Sequence, residues 1–180
     1  MTKALTLLTP VDILHFDRPH FIDYAERPYA LVFAGNNGGH IRGALVERLR
    51  RCIGFYFKDR DNDMRSYPAY ADFLRNSRVS VNAPFTGSGA ARQVKGRVLE
   101  AGLAGTCLIE HEASAAKNWF TPHEDYVVYR TKEDAAALAK ELLSDLPRAQ
   151  AIALSLQRKV REQHSPEIFW RRIFDAVGLK

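Results

Sequence analysis

The sequence predicts an α/β domain with a mainly parallel β-sheet and helices on both faces. Short apolar runs alternate along the chain with segments whose apolar residues recur at helical spacing. The first run, Tyr29–Ala34, is apolar throughout, as expected for a strand buried on both faces of a sheet. This alternation is typical of parallel sheets, whose crossover connections are usually helices.

The first half of the domain is predicted to supply three strands and two helices. A glycine-rich turn, Gly35–Gly39, follows the first strand directly and leads into a helix at His40–Arg51. The next elements are a strand, a helix and a strand, at Ile53–Phe57, Tyr67–Asn76 and Arg78–Ala83. A Gly- and Ser-rich loop, Pro84–Ala91, ends this half.

The second half is predicted to contain two further strands and four helices. A helix over Gln93–Ala104 ends at Gly105, and Thr131 is the expected N-cap of the next helix. The other elements are the strands Thr106–Ile109 and Tyr126–Tyr129 and the helices Thr131–Leu143, Arg148–Gln163 and Pro166–Val177. Residues 1–28 show little periodicity, and we expect a lead-in or linker segment packed on a domain formed by residues 29–180.

The composition places the chain among globular proteins. Its 180 residues suffice for one domain, and 46% apolar with 26% charged residues exclude a disordered tail or a fibrous protein. No apolar stretch approaches the ~20 residues of a membrane span, and the first ten residues lack a secretory signal. Cys52 and Cys107 are expected to be reduced, buried thiols, so we expect a cytoplasmic protein.

The net charge of +5 favours an anionic partner. From Phe73 to Leu99 the sequence contains no acidic residue, whereas five residues are basic: Arg75, Arg78, Arg92, Lys95 and Arg97. Such a stretch can bind a nucleotide, a phosphate, nucleic acid or an anionic membrane face. A solvated basic face without a ligand is the alternative interpretation.

The turn Gly35–Gly39, which includes Asn36, is the first candidate site. Its glycines let the backbone approach an anion, and the following helix offers free N–H groups. The spacing matches neither the dinucleotide-binding nor the Walker pattern, which argues against NAD and ATP. A permissive turn between a strand and a helix is the alternative.

The predicted helix Gln93–Ala104 is the second candidate. Arg97 and Glu100 share one of its faces, and a glutamate there can accept both hydroxyls of a ribose while Lys95 and Arg97 offset phosphate charge. A surface ion pair of little energetic value is the alternative. Asn82 ends its strand at the expected ligand crevice, although it can equally initiate the following turn.

The sequence contains no recognisable metal or nucleophile motif. The six histidines form no zinc-binding pattern, and no G-x-S-x-G elbow is present. The acidic segment at residues 59–63 lacks the glycine and the distal glutamate of a calcium loop and is expected to be a solvated loop. We therefore expect neither a metal nor a cofactor.

The segment Gln93–Gly105, followed by a hydrophobic strand that ends in the acid Glu110, has a familiar pattern. Other segments accompany it in a characteristic order: Tyr70–Asn82, Phe120–Tyr126, Lys132–Asp134 and His164–Trp170. Together, over residues 29–175, they resemble the C-terminal nucleotide-sugar-binding domain of GT-B glycosyltransferases, in glycosyl transferases group 1. The bacterial spore-protein-like and polysaccharide-type subgroup is the most similar.

The resemblance implies a Rossmann-like domain that binds a nucleotide-sugar and needs no metal. It implies that Glu100 contacts the ribose, that Lys95, Arg97 and the turn at Gly35 face the diphosphate, and that Arg42 is a further candidate. With the residues singled out above, the nucleotide-sugar-binding candidates are Gly35, Asn36, Arg42, Asn82, Lys95, Arg97, Glu100 and Gly105. Sugar transfer would require an N-terminal acceptor domain or a partner subunit, on which the catalytic base is expected.

Some features of the family are not implied here. Arg92 stands where retaining members carry a second glutamate, so the stereochemistry of transfer is left open. The length corresponds to the donor-binding half of such an enzyme, whether as a fragment, a split subunit or a stand-alone domain. A lipid-linked acceptor and a peripheral position at the inner membrane face are further expectations, and nucleic acid is not expected as a partner. The competing interpretation is a nucleotide or nucleotide-sugar binding module without catalysis.

Overall fold

Five strands form one sheet in which all neighbours are parallel, in the order β2-β1-β3-β4-β5. The computed structural model describes residues 5–19, 22–36, 39–59, 66–85 and 93–178. The strands are β1 Tyr29–Ala34, β2 Phe55–Lys58, β3 Ser77–Val81, β4 Cys107–His111 and β5 Val127–Tyr129. The predicted parallel α/β sheet is therefore confirmed.

Seven α-helices are present in the described part of the chain. They are α1 Ile13–Phe16, α2 His40–Leu49, α3 Tyr67–Arg75, α4 Arg97–Leu103, α5 Lys132–Ser144, α6 Leu146–Gln163 and α7 Pro166–Val177. The Thr131 hydroxyl accepts a hydrogen bond from the Asp134 N–H at 3.1 Å, and the Asp134 carboxylate bonds back to the Thr131 N–H, which completes a capping box. Thr131 is thus the N-cap that the sequence predicted.

Alternating residues of strand β1 pack into two separate hydrophobic cores. Leu31 and Phe33 of β1 face a core shared with α2 and α5, whereas Val32 and Ala34 face a core shared with α1, α3 and α4. Helix α6 contributes to both cores. Helices therefore cover both faces of the sheet, as the unbroken apolar run of β1 predicts.

Several boundaries differ from the predicted ones. Helix α4 begins at Arg97 instead of Gln93, because the Gln93 N–H bonds to the Pro84 carbonyl at 3.1 Å and Gly96 precedes the first helical turn. The lead-in contains the short helix α1, which the sequence did not predict. Its Phe16 is fully buried against the rings of Tyr67 and Tyr70.

The strand order places a reversal of direction between β1 and β3. From β1 the chain moves outward to β2, and it then crosses back to β3 on the other side of β1. In sheets of this kind, ligands bind outside the carboxyl ends of the strands at such a switch point. Gly35 follows β1 and Asn82 follows β3, so both lie at that point.

Some predicted features lie outside the described residues. These are most of the loop Pro84–Ala91, most of the acidic segment at residues 59–63, and Arg92.

Both cysteines are free; Cys107 is buried, and Cys52 is only half-buried, at the end of α2. Within the described residues, no helix combines the length and apolarity needed to span a bilayer.

Candidate functional site

A cavity of about 270 Å³ opens at the switch point between β1 and β3. Seven of the eight candidates from the sequence line it: Gly35, Asn36, Arg42, Asn82, Lys95, Arg97 and Glu100. Phe33, Ala83 and Gly96 complete the lining. Residues from three separate parts of the chain therefore meet where the topology predicts a ligand crevice.

Gly35 allows an arginine to lie directly against the end of β1. Its φ is +143°, which L side chains rarely adopt, and its N–H bonds to the Lys58 carbonyl at 3.0 Å. A Cβ atom at this position would lie 3.0 Å from Nη1 of Arg97. Glycine is needed here for both the conformation and the close approach of the guanidinium.

The first turn of α4 presents Arg97 and Glu100, and both are held by Tyr70 of α3. The Arg97 Nε donates to the Tyr70 hydroxyl at 2.8 Å, and that hydroxyl donates to Glu100 Oε2 at 2.5 Å. Arg97 Nε and Glu100 Oε2 are 3.8 Å apart, and their side chains are only 18% and 14% exposed. The geometry is thus a fixed network, not the solvated surface pair that the sequence left as an alternative.

Electrostatics around Arg97 and Lys95 show that positive charge is concentrated in the cavity. Burial opposes the charge of Arg97, but Tyr70 and Glu100 outweigh it and raise the pKa of the guanidinium. Burial, followed by the positive charges of Arg42 and Arg97, lowers the pKa of Lys95. A group that brings negative charge would relieve this mutual repulsion of the cations.

Asn82 and Arg42 are held in place by neighbours at the rim of the cavity. The Asn82 side-chain amide donates to Glu110 Oε2 at 2.6 Å, and the Asn82 backbone carbonyl accepts the Tyr129 hydroxyl at 2.9 Å. Arg42 Nη1 donates to the Asn36 carbonyl at 3.1 Å. These bonds orient both side chains before any ligand is bound.

Glu110 is a fully buried carboxyl group at the end of β4, behind Asn82. Besides the amide of Asn82, its carboxylate accepts the His111 N–H at 3.0 Å. Burial raises the pKa of Glu110 to about 7, although these two hydrogen bonds and the cations Arg97 and Lys95 act in the opposite direction. The group therefore changes charge close to neutral pH.

Sequence reasoning assigned no role in the site to Tyr70, Glu110 or Gly96. Tyr70 lies within the predicted helix Tyr67–Asn76, and nothing in its local sequence indicates that its hydroxyl bridges Arg97 and Glu100. Glu110 carried a usable signal, because an acid that ends a buried strand lies at the ligand edge, as Asn82 does.

Gly105 is the one candidate that the structure does not bring to the cavity. It follows α4 with a φ of +61°, and its carbonyl accepts a bond from Arg27 Nη1 at 2.6 Å. It leads into the amino end of β4, whereas the cavity lies at the carboxyl ends of the strands. Its left-handed conformation makes it the glycine that ends a helix.

The described cations of the acid-free stretch 73–99 do not lie on one surface. Lys95 and Arg97 lie in the cavity, Arg75 pairs with Asp72 at 3.4 Å, and Arg78 lines a different groove. Among the residues that the structure describes, no three His, Cys, Asp or Glu side chains are grouped as metal ligands. The cavity thus combines three cations with one accessible carboxylate, a set suited to a phosphate that is attached to a hydroxyl-bearing group.

Comparisons with known proteins show what this chain is similar to. A family model described as glycosyl transferase-like matches residues 23–175. Among curated proteins, no sequence matches this chain.

Solved structures with the same fold include three glycosyltransferase-related proteins. HepE of Anabaena, in complex with UDP-glucose, superposes with a TM-score of 0.65 at 11% identity, over 86% of this chain and 50% of HepE. The C-terminal domain of LpcC, a glycosyl transferase group 1 family protein of Francisella tularensis, gives 0.63 at 14% identity, over 87% of this chain and 99% of that domain. TarM gives 0.66 at 12% identity, over 95% of this chain and 38% of TarM.

These superpositions establish the fold, and the coverage shows how much of each solved protein this chain corresponds to. The chain spans half the length of HepE and nearly the whole LpcC C-terminal domain. The expected C-terminal domain of the GT-B type is confirmed, whereas the subgroup within the family stays a prediction.

Proposed function

Because the chain belongs to the glycosyl transferase-like family, we propose that its cavity binds the nucleotide-sugar donor of a glycosyltransferase. The supporting observation is the convergence of Lys95, Arg97 and Arg42 beside the carboxylate of Glu100 at the switch point. The cations suit a diphosphate, and the carboxylate suits the hydroxyls of a ribose.

In this proposal each cavity residue has a distinct role. The diphosphate lies beside Gly35 and meets Lys95 and Arg97, whose guanidinium reaches the end of β1 because Gly35 has no side chain. Glu100 Oε2 is already engaged by the Tyr70 hydroxyl, so Oε1 accepts the ribose hydroxyls. Asn82 and Arg42 contact the donor from the rim.

We propose a uridine diphosphate sugar as the donor. HepE, which shares the fold, is known in complexes with UDP-glucose, with UDP, and with UDP and glucose. The cavity described here lies at the switch point where such sheets bind their ligands.

Sugar transfer leaves extra negative charge on the departing diphosphate. Cations that are already in place stabilise this charge without reorganisation. Arg97 meets this condition, because Tyr70 and Glu100 hold it, and Lys95 lines the same cavity.

The acceptor and the catalytic base are proposed to come from a second domain or a partner subunit. Helix α7 offers a surface for it, since none of its residues is buried and Trp170, Phe174 and Val177 are 52%, 45% and 65% exposed. A cytoplasmic location and a lipid-linked acceptor are parts of the same proposal.

Calorimetric titration tests the donor site. Replacing Glu100 by alanine should weaken UDP binding about tenfold, because a charged hydrogen-bond acceptor is lost, while pyrophosphate binding stays within about twofold. Glu112→Ala, an exposed glutamate paired with Arg130, is the matched control. Equal losses for both ligands, or no loss for either, would contradict the ribose role of Glu100.

A transfer assay separates an enzyme from a binding module. UDP-sugar consumption should rise when an acceptor domain is supplied, and it should fall in the Glu100→Ala variant. Tight UDP binding without transfer in the presence of acceptor domains would instead favour a nucleotide-sugar binding module.

A further inference from the structure

A second, larger depression lies at the amino ends of the strands, on the opposite edge of the sheet from the donor cavity. This basic groove, of about 860 Å³, lies between the start of β1, the turn after α2 and the second half of α5. Four cations line it: Arg48, Arg51, Arg78 and Lys140. None of its described lining residues is acidic.

The positive charge of the groove is not neutralised by its own helices. In α2 the only acid, Glu47, pairs with Arg50 at 3.1 Å. In α5 Glu141 pairs with Arg148, and Asp134 belongs to the capping box. No ion pair links any of the four groove cations to a described acid, so their charge is available to an external anion.

An apolar tip, formed by Ile53, lies beside these cations. Ile53, in the turn between α2 and β2, is 96% exposed, and Tyr56 of β2 is 42% exposed. The groove wall behind them is formed by small and aliphatic side chains, including Ala137 and Leu143. An aliphatic side chain held almost entirely in water, in the same groove as four cations, is typical of surfaces that insert into a lipid interface.

We propose that the basic groove and Ile53 form a docking surface for an anionic phospholipid bilayer. Arg48, Arg51, Arg78 and Lys140 attract the phosphate headgroups, and Ile53 enters the boundary between headgroups and acyl chains. A nucleic-acid backbone would satisfy the cations but would leave Ile53 in water. The apolar tip is therefore the observation that selects a bilayer.

This surface does not depend on the donor-binding function. Its residues lie at the amino ends of the strands, and the six residues of β1 separate it from the cavity by about 20 Å. A chain docked through the groove keeps the cavity open to the aqueous side.

Vesicle co-sedimentation tests the proposal. The chain should bind vesicles of phosphatidylcholine and phosphatidylglycerol in equal parts, bind phosphatidylcholine alone far less, and lose binding as salt is raised. Replacing Arg51 and Lys140 together by alanine should weaken binding about thirtyfold, at about fivefold for each cation. Ile53→Ser should weaken it about tenfold without changing the charge.

The matched control carries the same change of charge at another surface. Lys117 and Arg158 are exposed and do not line the groove, and their double alanine variant should bind vesicles within about twofold of the parent. UDP titrations should be identical for all variants, which separates this test from that of the donor site.

Three results would overturn the proposal. The first is an equal loss in the control variant, which would show attraction by net charge alone. The second is Ile53→Ser binding as tightly as the parent. The third is a single-stranded RNA that binds more tightly than the vesicles and loses binding in the groove variant.

Discussion

The donor cavity and the basic groove lie at opposite edges of one sheet, and both are rich in cations. In the cavity, Arg97 is 18% exposed and is held by Tyr70 and Glu100. In the groove, Arg51 and Lys140 are exposed and have no acidic partner among the described residues. A positively charged lining is thus built in two different ways.

The difference distinguishes recognition of one ligand in a fixed geometry from general attraction of anionic surfaces. A cation fixed by a network meets a ligand in one geometry and loses little conformational freedom on binding. A free cation on a flexible side chain attracts any anionic surface and is screened by salt. We therefore expect substitutions in the cavity to change both ligand affinity and folding stability. Substitutions in the groove should change only binding to the bilayer.

Of the substitutions that test this contrast, replacement of Arg97 should have the largest effect. Arg97→Ala takes away a cation from the proposed diphosphate site and leaves Tyr70 and Glu100 without their partner. UDP binding should fall about a hundredfold, or about 3 kcal/mol, as measured by calorimetry. Arg97→Lys, which keeps the charge but not the planar fork, should recover only part of that loss.

An Arg97→Ala variant that binds UDP normally would contradict the assignment. The cavity cations would then attract anions without fixing their position, as the groove cations do. The contrast between the two edges of the sheet would disappear.

Glu110 should make the stability of the folded protein depend on pH. The folded protein keeps this proton up to about pH 7, whereas the unfolded chain releases it near the ordinary pKa of 4.5. The folded state therefore binds more protons between these values, and the free energy of unfolding falls as pH rises through that interval. We expect a fall of about 2–3 kcal/mol, measured by urea unfolding from pH 5 to pH 8.

Glu110→Gln should remove this part of the pH dependence, because the amide does not ionise. Glu112→Gln, at an exposed position, is the control and should leave the slope unchanged. An unchanged slope in the Glu110 variant would show that the carboxyl group is already ionised at pH 5.

Local sequence patterns sufficed to predict most of the fold and much of the cavity. The apolar run of β1 is readable as a buried strand, and the spacing of Lys95, Arg97 and Glu100 brings them together because they are neighbours in the chain. Tyr70 could not be predicted as their partner, since it comes from α3 and only tertiary packing brings its hydroxyl to them.

The errors have physical causes of the same kind. Gly105 was grouped with the site because it ends the same helix, although the two ends of α4 face opposite edges of the sheet. The basic groove was not predicted, because Arg51, Arg78 and Lys140 are far apart in sequence. The described cations of the acid-free stretch 73–99 are also divided, because Lys95 and Arg97 lie in the cavity and Arg78 lies in the groove.

Gly35→Ala should have an intermediate effect, and it tests the close approach of Arg97. Alanine must adopt a φ of +143° and also push away a guanidinium 3.0 Å from its Cβ. We expect a loss of about 2 kcal/mol in the free energy of unfolding, and weaker UDP binding. The matched control is Gly178→Ala, where φ is +75° but no atom lies within 4 Å of the added Cβ.

The two glycine variants separate conformation from contact. Gly178→Ala should lose only the cost of the left-handed conformation, about 1 kcal/mol. If Gly35→Ala costs no more than this and binds UDP normally, the guanidinium moves freely, and the cavity is less fixed than its hydrogen bonds indicate.

The smallest expected effect is that of groove substitutions on the free energy of unfolding. Replacing Arg51 and Lys140 by alanine removes two exposed cations that make no ion pair with a described residue, so the free energy of unfolding should change by less than about 0.5 kcal/mol. Urea unfolding in low and high salt measures it. A loss above about 1 kcal/mol would mean that these side chains support the fold. Their effect on vesicle binding would then reflect damaged structure, and the distinction between a fixed cavity and a free basic surface would fail at the groove.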